Sequence, residues 1–318
     1  MSTVLGRPTP APVVTLRPTG AARRRLRVEK VVKLLLGLAA FISVLVTVGI
    51  ILSLAEPTIE FFQNVGPTKF FGGADWSPLF DPPGYGVWSP IVASLLVTTI
   101  AILVAVPFGL GAAFYLSEYA RPRVRRIVKP ILEILAGIPT VVFGFFALNF
   151  VNPQLVQKLW PIGDVGTFSV LSAGLVMGTM ILPTVASLAE DAMTAVPQSL
   201  RTGAYALAAT RREVCLKIVF RGAISGIVAA IVLGVSRALG ETMIVLLAAG
   251  NEPKLSLNPG YGMQTMTGFI GSAASGDLPV DSLDYKTIFA VGSVLFVATL
   301  VLNVISMRIV RRFREVYE

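Results

Sequence analysis

The sequence predicts an all-α integral membrane protein with six transmembrane helices and both termini in the cytoplasm. Three observations carry that prediction: a composition too apolar for a soluble core, six long runs almost free of charge, and a lopsided distribution of Lys and Arg between the segments that join them. Of 318 residues 54% are hydrophobic and 14% charged, and the mean hydropathy is +0.75, more apolar surface than a soluble fold of this length buries. A net charge of +9 raises the question of nucleic acid, but the basic residues sort by membrane side rather than clustering with aromatics, so no nucleic-acid partner is expected. The chain has no histidine and a single cysteine, Cys215, which excludes internal disulfides and histidine-based metal or proton-relay chemistry.

Residues 1–33 are rich in Pro, Thr, Ala and Arg without apolar periodicity and read as a disordered, basic cytoplasmic tail. The run 34–54 follows, about 21 residues at ~1.5 Å each, enough for a ~30 Å hydrocarbon layer. It ends in Ser53-Leu54-Ala55, which resembles a signal-peptidase site, yet the run exceeds a signal-peptide core of roughly 7 to 15 residues, so it reads as the first span. Residues 55–88 read as an ordered periplasmic loop, with Trp76 and Trp88 at headgroup level. The core of five further spans occupies 89–307, with runs at 91–116, 131–151, 168–189, 224–249 and 287–307; residues 308–318 form a second cytoplasmic tail.

The segments 1–33, 117–130, 190–222 and 308–318 hold 22 Lys and Arg, whereas 55–88, 152–167 and 251–286 hold 4. By the positive-inside rule the first set faces the cytoplasm. Prolines 90, 107, 139 and 183 and many glycines fall in or beside the spans, either to shape a protein-lined path or as ordinary kinked packing.

Two places carry candidate function. The cytoplasmic segment 190–222 mixes charges of both signs, and its stretch Ser199 to Ala209 has helix-forming composition but too few apolar residues to span, as a docking helix lying along the membrane requires. The second place is Arg237-Ala-Leu-Gly-Glu241-Thr-Met. An arginine roughly 13 residues from either end of its run cannot easily snorkel, and estimates for burying it in lipid run from about 3 to 10 kcal/mol or more. It therefore demands either a packing ion pair or a wet path, and a planar guanidinium suits phosphate-type oxygens. Glu241, four residues on, is expected on the same helix face, as a partner for Arg237 or as an acceptor for a proton retained on phosphate. The spans otherwise hold only Glu133 as a charged residue, too few groups for acid–base catalysis. No Gly-x-x-x-x-Gly-Lys-Ser/Thr loop occurs, so the chain itself is not expected to hydrolyse ATP, and it is expected to carry no cofactor or metal.

At Arg237-Ala-Leu-Gly-Glu-Thr-Met, Ala105-Val-Pro-Phe-Gly-Leu-Gly-Ala-Ala-Phe-Tyr-Leu-Ser-Glu-Tyr-Ala120 and Leu132-Glu-Ile-Leu-Ala-Gly-Ile-Pro-Thr-Val-Val-Phe-Gly144 the chain resembles the permease subunits of bacterial phosphate-specific ABC importers. The phenylalanine-rich, Trp76-bearing outer loop is more similar to the PstC type than to its PstA-type sister. The resemblance implies a type I ABC importer permease fold and partnership with a PstA-type permease. It also implies a PstB-type ATPase dimer that binds ATP and Mg, and a periplasmic or lipid-anchored PstS-type phosphate-binding protein. It assigns Arg237 and Glu241 to the substrate pathway, and Thr202, Gly203, Ala204, Leu207, Ala208 and Arg211 to the loop that couples to the ATPase. There the match departs from the family pattern: Thr202 stands at the glutamate position, Ala208 replaces a turn glycine, and Phe220-Arg221 replaces Leu-Pro. The implied function is the channel-forming subunit of an ATP-driven phosphate importer. A permease for sulfate or molybdate, or an ATP-independent anion transporter, are the alternatives the residues leave open.

Overall fold

A computed structural model describes residues 20–161 and 165–313. Apart from a two-stranded hairpin it is helical, and it divides into two compact units, residues 1–53 and 54–318. The described part of the first unit is the N-terminal part of α1, Gly20–Val65, whose apolar side chains stand exposed.

α1 corrects two expectations. Residues 20–33, read as a disordered tail, are helical, because Ala, Arg, Leu, Glu and Lys are all good helix formers; residues 1–19 lie outside the described part. The helix also runs past Glu56 and Pro57, where the sequence reading began a loop. Pro57 forfeits one backbone bond, but tertiary contacts hold the next turn: Thr58 Oγ1 bonds Leu54 O at 2.7 Å, Phe289 O at 3.1 Å and Ser293 Oγ at 2.8 Å. At ~1.5 Å per residue, 46 residues exceed twice the hydrocarbon thickness, so the helix is far longer than one crossing needs.

The outer segment is ordered, as expected. α2 (Pro67–Gly72) leads to strands β1 (Trp76–Ser77) and β2 (Gly84–Tyr85), paired antiparallel with Trp76 opposite Tyr85. Phe61, Phe62, Phe70 and Tyr85 meet edge to face at 5.4–5.6 Å, a geometry that aligns ring edges with ring faces. Trp76 is fully buried within the protein, donates its indole N–H to Gln264 Oε1 at 2.7 Å and packs on Phe269. Trp88 is half exposed and donates to Phe71 O.

α3 (Trp88–Phe114) continues through a π-helical turn, Tyr115–Tyr119. It packs along α7 (Val170–Thr194) over most of its length. The contact is close because Gly174 and Gly178 are one turn apart: a Cβ at Gly174 would lie 2.7 Å from Ile100 Cβ, and one at Gly178 would lie 2.9 Å from Ala101 O.

Between them, the expected third span is not a single straight helix. α4 (Pro122–Ala136) meets α5 (Thr140–Phe146) at a bend of 86°. Pro139 lacks an N–H and biases Ile138 away from helical geometry, so the chain turns at Gly137-Ile138-Pro139. α5 runs on as a π-helical segment, Ala147–Val156, into α6 (Gln157–Leu159). Among the described residues five helices are long and apolar enough to cross a membrane, and the bent pair makes the expected sixth if it is one crossing.

The segment 190–222 is shorter as a loop than expected. α7 persists to Thr194, and the next span starts at Arg211 with α9 (Arg211–Glu213), a π-helical turn Val214–Val219 and α10 (Phe220–Leu239). α8 (Gln198–Ala206) lies between them. After α10 come α11 (Met243–Ala248), α12 (Met266–Ala274) and the last span, α13 (Leu283–Phe313).

Candidate functional site: a helix break and a docking helix

Arg237 and Glu241 were expected on one continuous helix, facing the same way. The structure corrects this. α10 stops at Leu239, Gly240 caps it, and Glu241 and Thr242 form the break before α11. Arg237 thus occupies the last turn of α10, where the partial negative charge of the exposed carbonyls favours a cation, rather than mid-helix. Glu241 turns forward instead of back. Its Oε1 accepts the N–H groups of Met243 at 3.1 Å and Ile244 at 3.4 Å, which begin α11 and have no helical partner. Lipid cannot satisfy such groups, so the carboxylate makes the break tolerable within a membrane. From α12, Thr267 Oγ1 donates to Glu241 O at 2.8 Å and pins the break.

Arg237 Nη1 donates to Thr184 Oγ1 of α7 at 3.2 Å. No Arg237–Glu241 ion pair occurs among the described residues, and Arg237 has no other hydrogen-bond partner there. Both residues are half-buried. A guanidinium carries five N–H donors, so most of this one's bonding capacity is uncommitted at the place where the helix opens.

The stretch expected to be helical from Ser199 to Ala209 is helical only to Ala206. Thr202, Gly203 and Ala204 lie on α8, Leu207 caps it and is 86% exposed, and Ala208 follows at φ +58°. Ala208 is the one non-glycine residue with positive φ among the described residues, in the turn where the family pattern places glycine. Thr210 then opens the next helix with a reciprocal cap: its Oγ1 accepts the Glu213 N–H at 3.3 Å while Glu213 Oε2 accepts the Thr210 N–H at 3.1 Å. Arg211 lies over the Tyr119 ring at 5.4 Å.

Sequence reasoning missed a set of buried charges beside α8. Glu190, fully buried in the last turns of α7, pairs with Arg125 and Lys129 of α4, and Lys129 also binds Asp191. Glu118 of the π-helical turn pairs with Arg201 of α8 at 3.2 Å. The spans therefore hold more charge than Glu133, Glu241 and Arg237. The signal was helical spacing: Glu190 continues the buried stripe of Ala186, Ala189 and Met193, but the apolar run was ended one residue too early.

Five long apolar helices and a bent pair, one of them ending at a half-buried guanidinium, are the described features of a multi-pass membrane protein, and the comparison with known families gives its class as a permease. The chain belongs to the family described as binding-protein-dependent transport system inner membrane component, whose pattern matches residues 105–315. Among its relatives are the probable ABC transporter permease protein YqgH of Bacillus subtilis (34% identical; 81% of this chain and 83% of the relative covered) and the phosphate transport system permease protein PstC of Xylella fastidiosa (31%; 93% and 94%). PstC 1 of Mycobacterium tuberculosis is 33% identical over 76% of this chain and 81% of its own. Among solved structures, the bacterial alginate ABC transporter in complex with its alginate-bound periplasmic protein superposes with a TM-score of 0.63 at 15% identity, covering 91% of this chain and 96% of that one. The MetNI methionine ABC transporter gives 0.54 at 17% identity, covering 72% and 95%. At such identities the agreement concerns the fold, which is the type I permease fold expected.

Proposed function

We propose that this chain is the PstC-type, channel-forming subunit of an ATP-driven importer of inorganic phosphate. A PstA-type sister completes the path, a PstB-type ATPase dimer below binds ATP and Mg, and a PstS-type binding protein delivers phosphate to the outer face. The observation that carries the proposal is Arg237, with one donor spent on Thr184 and the others free at a helix break. A phosphate oxyanion accepts two N–H groups of such a fork at once. Glu241 shapes the break and, through its second oxygen, accepts a hydrogen bond from the P–O–H that phosphate retains at neutral pH. Thr202, Gly203, Ala204, Leu207, Ala208 and Arg211 form the face that meets the ATPase, with exposed Tyr205 and Leu207 supplying apolar contact.

The test is ATP-driven uptake of labelled phosphate by proteoliposomes containing the four-component complex. Arg237→Gln keeps a hydrogen-bond donor and removes the charge; uptake is expected to fall at least about a hundredfold while the complex still assembles, because a hydrogen bond to a charged group contributes about 1.5–3 kcal/mol and more than one is lost. Wild-type uptake by the Arg237→Gln complex overturns the proposal.

A further inference from the structure

The one buried residue of α8 is an arginine. Arg201 is 8% exposed, and its guanidinium joins three elements. Nη2 donates to Met193 O at 2.7 Å and to Glu118 Oε1 at 3.2 Å, while Nη1 donates to Val196 O. Met193 and Val196 bracket the end of α7; Met193 O already accepts the Val196 N–H at 3.3 Å, and Arg201 adds a side-chain donor to it and to Val196 O, capping α7 from outside. Glu118 lies in the π-helical turn that ends α3, and its side chain is 6% exposed. Wide turns of this kind inside long helices recur at functional positions.

Such an arrangement does little for stability. A buried ion pair surrenders the hydration of both partners, and apolar replacements are often as stable or more so. What it supplies is direction: the guanidinium fork fixes the register of α8 against two helices at once, which an apolar contact does not. Those helices are α3 and α7, in close contact at Gly174 and Gly178. Nine residues along α7 from Met193, roughly 13 Å at the helical rise, Thr184 holds Arg237. A cavity of about 340 Å³ borders both Arg201 and Glu118, with Ser117, Thr194 and Gln198, and leaves room on one side of the pair.

From this geometry we infer that the Arg201–Glu118 pair is the mechanical pin through which a displacement of α8 is passed to α3 and α7, and thence to Arg237. Arg201 is a positioning residue: it contacts no solute. The inference rests on the reading of α8 as the ATPase-facing helix of an importer. Loss of the pin leaves ATP hydrolysis running but disconnects it from the path.

The experiment measures both phosphate transported and ATP hydrolysed in proteoliposomes of the four-component complex, comparing wild type with Arg201→Met, Arg201→Lys and Glu118→Gln. Hydrolysis is expected within about twofold of wild type, with transport per ATP at least tenfold lower in Arg201→Met and Glu118→Gln and largely recovered in Arg201→Lys. A purely structural role lowers both rates together and leaves their ratio unchanged, and that result overturns the inference. Should Arg201→Met fail to assemble, Glu118→Gln decides, since it is isosteric and keeps both carbonyl contacts of Arg201. A wild-type complex that couples hydrolysis to another oxyanion, with the same loss in the variants, refutes the phosphate reading and upholds the pin.

Discussion

The two oxygens of Glu241 stand differently: one caps a helix, and the other is the one proposed above to meet phosphate. Oε1 is committed to the Met243 and Ile244 N–H groups, while Oε2 has no hydrogen-bond partner among the described residues. Replacing Glu241 with Gln retains a carbonyl oxygen to cap α11 but removes the negative charge. A solute that keeps a proton at neutral pH, such as phosphate, then loses an acceptor, whereas fully ionised sulfate loses a repulsive neighbour. The expected outcome is a phosphate-to-sulfate uptake ratio about tenfold lower, equivalent to ~1.4 kcal/mol, with assembly intact. Competition between the two labelled anions measures it, and an unchanged ratio removes Glu241 from selectivity. Arg237 was legible in the sequence as an expensive residue that needed a reason. Its partner was not, because the four-residue spacing to Glu241 implies one face only while the helix is continuous, and Gly240 ends it. Thr184, one residue beyond Pro183 on a helix distant in sequence, is a neutral hydroxyl with no local signal at all.

The elements show the same division. Hydropathy locates every long helix, because a run of some twenty apolar residues has few other uses. It misplaces ends wherever tertiary contacts extend a helix beyond the apolar run, as Thr58 does for α1 and the Glu190 ion pairs do for α7. The turn after α8 was not legible in composition, which reads as helix-forming through Ala209; only the resemblance, which places a turn glycine at Ala208, pointed to it, and φ is +58° there. An L-residue with a Cβ pays roughly 1 kcal/mol in that region. Ala208→Gly relieves this strain but gives the unfolded chain more freedom, so the net gain is expected below about 1 kcal/mol. Ala208→Val adds a β-branch to the strained position and is expected to lose more than ~1 kcal/mol. The thermal midpoint of the solubilised complex should therefore rank Gly at or above Ala, and Ala well above Val. A valine variant as stable as the parent shows that the turn relaxes out of the left-handed region, and the docking surface at Leu207 with it.

At the scale of the molecule, we propose an orientation in the membrane from charge. By the positive-inside rule the segments holding 22 Lys and Arg are expected to face the cytoplasm, among them the segment that carries α8. The segments 55–88 and 251–286, with few basic residues, are then expected on the outer side. A transfer of basic segments across the membrane is opposed by the surface charge and potential, which is why the bias fixes topology. The chain is suited to a direct check, because its single cysteine, Cys215, is buried and gives little background to a thiol probe. Leu79 and Leu207 are both exposed, one in the outer hairpin turn and one at the end of α8. In intact spheroplasts a membrane-impermeant maleimide is expected to label Leu79→Cys and to spare Leu207→Cys, which reacts only after the membrane is opened. Labelling of Leu207→Cys from outside inverts the topology and removes α8 from reach of any cytoplasmic ATPase. The docking role and the pin at Arg201 would then fall together, while the fold and the uncommitted guanidinium at Arg237 would stand.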